Sequence, residues 1–390
     1  MIVGVPRESF PGERRVAMVP AVIPSLIKAG LEVVVEAGAG KEAGYLDTEY
    51  AAKGAKILST RADVFATADI VVQVLCYGSN DKTGKADVPL YRPHQALLGF
   101  LRPLGSVETI QEIASKGVTA FSIELMPRTT RAQSMDALSS MATISGYKAV
   151  LIAADTLPKL FPMLTTAAGT ITPARVFIIG CGVAGLQAIA TARRLGAVVS
   201  AYDLRPAVKE QVQSLGGRFV EIAVEAKDAQ DARGYATAQG EEFYKKQREL
   251  LGKVVAESDV VVTAAVIPGK KSPILVTKEM VDGMAPGSVL VDLAAERGGN
   301  CELTRAGEKI EEHGVTIIGS INLASTVPYH ASQMYAKNVA TFLLYMVKEG
   351  KLQINPQDEI VRETLLTYGG EIVSVRLREI YKLPALAAKS

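Results

Sequence analysis

The stretch Val176–Ala190 reads VFIIGCGVAGLQAIA, an apolar run followed by the glycine pattern GxGxxG and a helix-length segment. This order is typical of a strand, a tight turn and a helix that begins at a dinucleotide pyrophosphate. Gly180 permits the turn, Gly182 lets the backbone approach the phosphates, and Gly185 lets the helix pack close to the strand. The free N–H groups at the start of the helix favour an anion. The motif therefore predicts a dinucleotide-binding domain of the Rossmann type.

The acidic residue expected after the next strand is also present. The predicted strand Ala197–Tyr202 leads directly into Asp203, 23 residues after Gly180. A carboxylate at this place can accept hydrogen bonds from both hydroxyls of the adenosine ribose, and it repels the 2′-phosphate of NADP. The position favours NAD over NADP, while Arg205 nearby leaves some doubt. The alternative is a Rossmann-like domain whose nucleotide pocket has been lost.

Outward from the motif, short apolar runs alternate with helix-length segments along the 390 residues, which predicts parallel sheets built from βαβ units. One series of predicted strands occupies the first 122 residues, and a second runs from Ala174 to Ile318. Long helices are predicted at Arg131–Ala154 and Ala331–Lys348, on either side of the second series. We therefore expect an α/β fold with two Rossmann-like, doubly wound parallel-sheet domains, joined by two long helices with a cleft between them.

The same pattern predicts the domain limits. Because the second long helix would carry the chain back, residues 1–135 with 330–390 are expected to form a discontinuous N-terminal domain. Residues 140–325 are expected to form the NAD(H)-binding domain. Two domains also agree with the length, since one core rarely grows beyond about 250–300 residues.

Composition narrows the class of protein. Lys and Arg number 43 and Asp and Glu 41, so the formal charge of +2 argues against nucleic acid as a partner. The longest apolar stretches, Val260–Pro268 and Thr341–Val347, are shorter than the about 20 residues that cross a bilayer. Three cysteines and three histidines are scattered singly, which argues against a metal site. No export signal opens the chain, so a cytoplasmic location is expected.

The segment Met126–Ser140 reads MPRTTRAQSMDALSS. It resembles a signature of the NAD(H)-binding component, domain I, of proton-translocating nicotinamide nucleotide transhydrogenase. The stretches Arg7–Val16, Ala167–Arg175, Gly182–Gly196 and Gly298–Cys301 are similar to the same family. The resemblance covers nearly the whole chain and weakens after about residue 350.

The resemblance implies roles for particular residues. Those expected around the nicotinamide and its ribose are Arg128, Thr129, Thr130, Arg131, Gln133, Ser134, Met135, Asp136 and Ser139, with Arg128, Gln133, Asp136 and Ser139 as the catalytic set. Val183 and the glycine turn would hold the pyrophosphate, and Asp203, Leu204 and Arg205 the adenosine. Residues 223–243 resemble the mobile loop of the family, in which Gly234 and Tyr235 would close over the nucleotide. Ala265 and Val266 would contact it from the other side.

The implied reaction is hydride transfer between NADH on this chain and NADP⁺ on a partner, the NADP(H)-binding beta subunit. Membrane subunits would translocate the protons, and this chain would form a homodimer at the cytoplasmic face of the inner membrane. Hydride transfer between two nicotinamide rings requires positioning and exclusion of water rather than an acid–base residue. A site with arginine, glutamine, serine and aspartate but no placed histidine suits that chemistry.

Two alternatives remain. Alanine dehydrogenase shares the fold, and Arg15 matches its substrate-binding arginine. However, Gln73-Val-Leu75 stands where its lysine is expected, Phe100-Leu-Arg102 stands where its histidine is expected, and Glu296 replaces its aspartate. Amino-acid oxidation needs such an acid–base group. The second alternative is an NAD-sensing subunit that performs no chemistry.

Overall fold

The structure is a computed structural model that describes residues 1–221, 241–267 and 269–384, without the side chains of residues 241, 242 and 244. Most of the predicted mobile loop, including Gly234 and Tyr235, lies outside the described residues. The chain divides into two compact units. The first contains Met1–Met141 and Ser325–Ser390, and the second contains Ala142–Ala324.

The described elements alternate between strands and helices for most of the chain. The strands are β1 (Ile2–Val5), β2 (Glu32–Glu36), β3 (Lys56–Leu58), β4 (Ile70–Leu75), β5 (Ala96–Phe100), β6 (Thr119–Ser122), β7 (Leu164–Thr166), β8 (Gly169–Ile171), β9 (Arg175–Ile179), β10 (Val198–Tyr202), β11 (Arg218–Phe219), β12 (Val260–Thr263), β13 (Val289–Asp292), β14 (Lys309–Glu312), β15 (Val315–Gly319), β16 (Val347–Lys348), β17 (Lys351–Leu352), β18 (Leu365–Tyr368) and β19 (Glu371–Ile372). The helices are α1 (Ile23–Lys28), α2 (Asp47–Ala52), α3 (Arg61–Thr67), α4 (Val107–Ser115), α5 (Ala137–Thr156), α6 (Val183–Arg194), α7 (Lys209–Ser214), α8 (Glu241–Ala256), α9 (Lys278–Asp282), α10 (Pro328–Met346), α11 (Glu359–Thr364) and α12 (Val375–Ile380).

The first unit is built on an eight-stranded sheet with the order β19-β18-β6-β5-β4-β1-β2-β3. Strands β1 to β6 are parallel, and β18 and β19 extend the sheet in antiparallel fashion beyond β6. The chain moves outward from β1 in one direction to β2 and β3, then returns and continues through β4, β5 and β6. This reversal between β1 and β4 is the mark of a doubly wound sheet.

The second unit is built on a seven-stranded sheet with the order β11-β10-β9-β12-β13-β15-β14, parallel except for β14. Its central strand β9 buries both faces. Val176 and Ile178 belong to one hydrophobic cluster, with residues of α5 and α6, whereas Phe177 and Ile179 belong to another, with residues of α8. The continuous apolar run of β9 is therefore explained by burial on both sides. The predicted α/β fold with two parallel-dominated sheets is confirmed.

Both long helices differ from their predicted limits. The helix predicted from Arg131 begins only at Ala137, because a 3₁₀ turn at Thr130–Met135 precedes it and Asp136 caps it. The helix predicted from Ala331 begins at Pro328, and proline is favoured in a first turn. It ends at Met346, where the backbone becomes extended and pairs as β16 with β17.

Helix α5 has the length and composition of a membrane-crossing helix, which the count of uninterrupted apolar residues did not reveal. It is the one such helix in the described part of the chain. Its residues Ala149, Val150 and Ala153 lie in the hydrophobic core of the second unit. A Cβ at Gly146 would lie 2.0 Å from the carbonyl oxygen of Ala184 in α6, so the two helices pack closely. These contacts are those of a core helix.

Candidate functional site

The three glycines of the motif occupy different environments in the second unit. Gly180 has a φ of +96°, and a Cβ there would lie 2.8 Å from the amide nitrogen of Ala265. A Cβ at Gly185 would lie 1.9 Å from the carbonyl oxygen of Gly180. A Cβ at Gly182 would meet nothing within 4 Å. Packing therefore requires glycine at two positions, while the space over Gly182 is open and suits a ligand that approaches the backbone.

The start of α6 faces the same place. Gly182 is the N-cap of this helix, and no side chain caps it among the described residues. The first turn carries no acidic side chain, and Val183 is 39% exposed. Helix N-termini with unsatisfied N–H groups attract anions. The turn and the helix together therefore fit a pyrophosphate.

Asp203 lies next to the glycine turn and accepts four hydrogen bonds. The donors to Oδ2 are the amide of Cys181 at 2.7 Å and Nη2 of Arg205 at 2.9 Å. The donors to Oδ1 are the amide and Nε of Arg205, both at 2.8 Å. A carboxylate offers about four lone-pair positions, so these bonds fill them. A ribose hydroxyl would have to displace the Arg205 guanidinium to reach this carboxylate; Leu204 between them is partly buried.

The loop that follows β12 is held beside the glycine turn by Asn300, to which the sequence analysis gave no role. The amide of Ala265 donates to Oδ1 of Asn300 at 2.9 Å, and Nδ2 of Asn300 donates to the carbonyl of Ala265 at 2.8 Å. The amide of Asn300 donates to Asp292, at the end of β13, at 2.7 Å. Val266 is 41% exposed. The only signal in the sequence was the glycine pair that precedes Asn300.

The residues predicted around the nicotinamide lie in the first unit, on the turn before α5. Asp136 accepts hydrogen bonds from the amide of Ser139 at 2.9 Å and from its hydroxyl at 2.6 Å. Ala132 and Met135 are buried and anchor the turn. Gln133 is exposed, and its side chain has no hydrogen-bond partner in the part of the chain that the structure describes. The turn is thus fixed while Gln133 remains available to a ligand.

The remaining predicted residues of this segment are mostly at the surface. Arg128, Thr130, Arg131 and Ser134 are exposed, and Thr129 is partly exposed. Within the first unit the structure brings Arg128–Ser139 together. Within the second it brings together the glycine turn, Asp203–Arg205 and Ala265–Val266.

The positions required by the alanine dehydrogenase alternative carry other groups. Arg15 is buried, and its Nε and Nη2 donate to Glu13 at 2.7 and 2.6 Å. Nε2 of Gln73 donates to Asp87 at 3.2 Å, and Glu296 accepts from the amide of Asn322 at 2.7 Å. None of these contacts supplies the lysine or histidine of amino-acid oxidation.

One group of possible metal ligands occurs among the described residues, namely Asp282, Glu312 and His313 on the second unit. Nζ of Lys278 forms ion pairs with Asp282 and Glu312, so an ammonium group already neutralises both carboxylates. The group is largely exposed and lies away from the glycine turn in sequence. It adds nothing to the candidate nucleotide site.

Comparison with known proteins gives the family. Residues 4–145 match the family model of the alanine dehydrogenase/PNT N-terminal domain, and residues 149–375 match that of the C-terminal domain. The chain is 46% identical over 376 residues to the first of the chains that make up NAD(P) transhydrogenase subunit alpha in Rhodospirillum rubrum. That alignment covers 96% of this chain and 98% of the relative.

The solved structures agree. A crystal structure of transhydrogenase from Sinorhizobium meliloti, 46% identical, superposes with a TM-score of 0.85 over 96% of this chain and 100% of that one. Alanine dehydrogenase is more distant: the Bacillus subtilis enzyme is 28% identical over 384 residues, which cover 95% of this chain and 92% of that one.

Proposed function

The chain belongs to the alanine dehydrogenase/PNT family of oxidoreductases, and we propose that it is the NAD(H)-binding subunit of a proton-translocating transhydrogenase. It would transfer hydride between NADH and NADP⁺, with NADP(H) held by a partner subunit. The identity of 46% over nearly the full length of a transhydrogenase alpha subunit supports this function over alanine oxidation. The homologous alanine dehydrogenases are markedly less similar.

The open space over Gly182 is the single structural observation that carries the proposal. A glycine that no neighbour requires, at an uncapped helix start, fits a bound pyrophosphate. Residues Gly180, Gly182, Val183 and Gly185 would hold the pyrophosphate of NAD(H). Asp203, Leu204 and Arg205 would hold the adenosine, with the Ala265–Val266 loop beside them. Residues 140–325 would form the NAD(H)-binding domain.

When bound, the nicotinamide supplies the reactive C–H bond, so the protein has to position and shield it. Arg128 and Gln133 are exposed on a fixed turn, where they can orient the nicotinamide and its ribose. Asp136 and Ser139 hold each other at the start of α5 and would complete this surface. Orientation of this kind lowers a barrier without proton transfer.

The subunit arrangement follows from the same proposal. The relative is named as a piece of subunit alpha, which implies further subunits. A beta subunit would hold NADP(H), and membrane subunits would carry the protons. This chain would form a homodimer, peripheral to the cytoplasmic face of the inner membrane. The packing of α5 in a core supports a peripheral location.

The substitution Gln133→Ala tests the proposed catalytic surface. We expect the rate of hydride transfer to an added NADP(H)-binding component to fall by about tenfold or more, because a positioning contact is lost. The Kd for NADH, measured by fluorescence titration, should change by less than about twofold. Gln213→Ala, at an exposed position in α7, is the matched control. Equal losses of rate and affinity in Gln133→Ala would contradict a catalytic role.

A further inference from the structure

Asp358 in the first unit is the centre of a hydrogen-bond cluster that reaches the nicotinamide segment. Its Oδ1 accepts from the amides of Ile360 at 2.9 Å and Val361 at 3.2 Å, which caps α11. Its Oδ2 accepts from the hydroxyl of Tyr345 at 2.5 Å and lies 3.1 Å from Nη2 of Arg131. One carboxylate therefore joins α10, α11 and the Thr130–Met135 turn.

Arg131 is held on two sides. Besides the ion pair with Asp358, its guanidinium lies 5.9 Å from the centre of the Tyr345 ring, a cation–π distance. The resemblance predicted that Arg131 contributes to the cofactor site. In the structure its guanidinium instead joins the turn to the C-terminal part of the same unit. Gln133 and Asp136 lie two and five positions further along the chain.

A second bond holds the other end of this turn. Nδ2 of Asn338, near the middle of α10, donates to the carbonyl oxygen of Ser134 at 2.8 Å. Asn338 is 7% exposed, so this bond is shielded from water. Together with the buried Ala132 and Met135, these bonds fix the backbone on both sides of Gln133. The exposed glutamine is thus presented from a backbone with little freedom.

We propose that Asp358, acting through Arg131 and Tyr345, is a positioning residue for hydride transfer. Its carboxylate fixes the turn that carries Gln133 and Asp136, and it does not touch the cofactor. This role rests on the proposed function of the chain. The Arg131 side chain is 56% exposed, and exposed ion pairs contribute little to stability. The pair should therefore affect the rate of transfer more than the melting temperature.

The test uses three variants of the full chain. Asp358→Asn removes the charge but keeps an oxygen that can cap α11, Tyr345→Phe removes only the hydroxyl donor, and Arg131→Ala removes the guanidinium. Glu363→Gln is the matched control, because Glu363 also lies in α11 and pairs with an arginine, Arg362, at 3.8 Å. Each variant is assayed with an NADP(H)-binding component. NADH affinity, melting temperature and amide exchange of residues 128–136 are measured in parallel.

We expect kcat to fall by about tenfold in Asp358→Asn and Arg131→Ala, and by less in Tyr345→Phe. The Kd for NADH should remain within about twofold. The double variant Arg131→Ala/Asp358→Asn should lose no more than either single one, since both break the same pair. Amide exchange of residues 128–136 should become faster in Asp358→Asn and stay unchanged in Glu363→Gln.

Two outcomes would overturn the positioning role. One is a kcat in Asp358→Asn equal to that of Glu363→Gln, and the other is unchanged amide exchange over residues 128–136. Failure of the proposed function itself is recognised separately, because the wild-type chain would then transfer no hydride with the added component. That result would remove the role in hydride transfer together with the function, whatever the exchange data show.

Discussion

At the scale of single residues, the bonds of Asp203 bear most directly on the choice of cofactor. Its carboxylate is saturated by Cys181 and Arg205, and Arg205 contributes three of the four bonds. Asp203 thus restrains a cation that could otherwise bind a 2′-phosphate. The preference for NAD, left in doubt by the sequence, would then depend on the pair rather than on Asp203 alone.

The substitution Asp203→Asn should release Arg205 and remove the negative charge. We expect the Kd for NADH to rise about 10- to 100-fold, since a hydrogen bond to a charged group contributes about 1.5–3 kcal/mol. The ratio of NADPH to NADH affinity should increase. Fluorescence titration with both nucleotides measures this ratio, and the double variant with Arg205→Ala is the control. An unchanged ratio would show that the pair does not determine the preference.

Glu8 is a second residue whose environment the sequence did not reveal. It is buried and accepts hydrogen bonds from the amides of Val74 and Leu75 at 2.6 and 3.1 Å. Burial, followed by the negative charge of Glu13, raises the pKa of Glu8 from 4.5 to about 8. A carboxyl group with a raised pKa stabilises the folded state while it is protonated. Its contribution is complete below pH 4.5 and is lost as the pH rises through about 8.

The substitution Glu8→Gln should therefore flatten the decline in melting temperature between pH 5 and 8, because an amide keeps the neutral state at every pH. Thermal unfolding across this pH range measures the slope. Glu42→Gln, at an exposed position, should retain the slope of the wild type. The same decline in Glu8→Gln as in the wild type would show that Glu8 is not the titrating group.

At the scale of elements, the strand, turn and helix at Arg175–Arg194 were predictable because each signal is local. The apolar run, three glycines and the helical pattern all lie within a short segment. The 3₁₀ turn before α5 was not predictable in this way. Arg131 is held by Asp358, and Ser134 by Asn338, more than 200 positions away. Asp136 also ends the turn by capping α5, a signal that an uninterrupted helical pattern concealed.

The glycine turn allows binding to be separated from folding. Gly182→Ala adds a methyl group to open space at a φ of −75°, so the melting temperature should stay near that of the wild type. NADH should nevertheless bind at least about tenfold more weakly, because the methyl group occupies the place of the pyrophosphate. Gly185→Ala places a Cβ 1.9 Å from a carbonyl oxygen and should lower the melting temperature. Unaltered NADH binding in Gly182→Ala would contradict the proposed pyrophosphate site.

At the scale of the whole molecule, the two parallel-dominated sheets follow from the alternation of strand and helix signals, but the sheet edges do not. Strand β18 is four residues long and pairs antiparallel with β6, which lies about 245 positions earlier. Four apolar and polar residues contain no record of such a partner. The side-chain hydroxyl of Thr367 also bonds the backbone at Val118 and Ala120, so tertiary contacts determine this edge.

The whole-molecule claim is that this chain transfers hydride only with a partner that holds the second nicotinamide. The most direct measurement is a hydride-transfer assay of the purified chain with and without an NADP(H)-binding transhydrogenase component. NADH is the donor, and the acceptor is an NADP⁺ analogue whose reduced form absorbs at a separate wavelength. A parallel reaction contains L-alanine and NAD⁺. We predict transfer only when the component is present and no oxidation of alanine. Alanine oxidation by the chain alone, or tight NADH binding without transfer in either mixture, would contradict the proposed function.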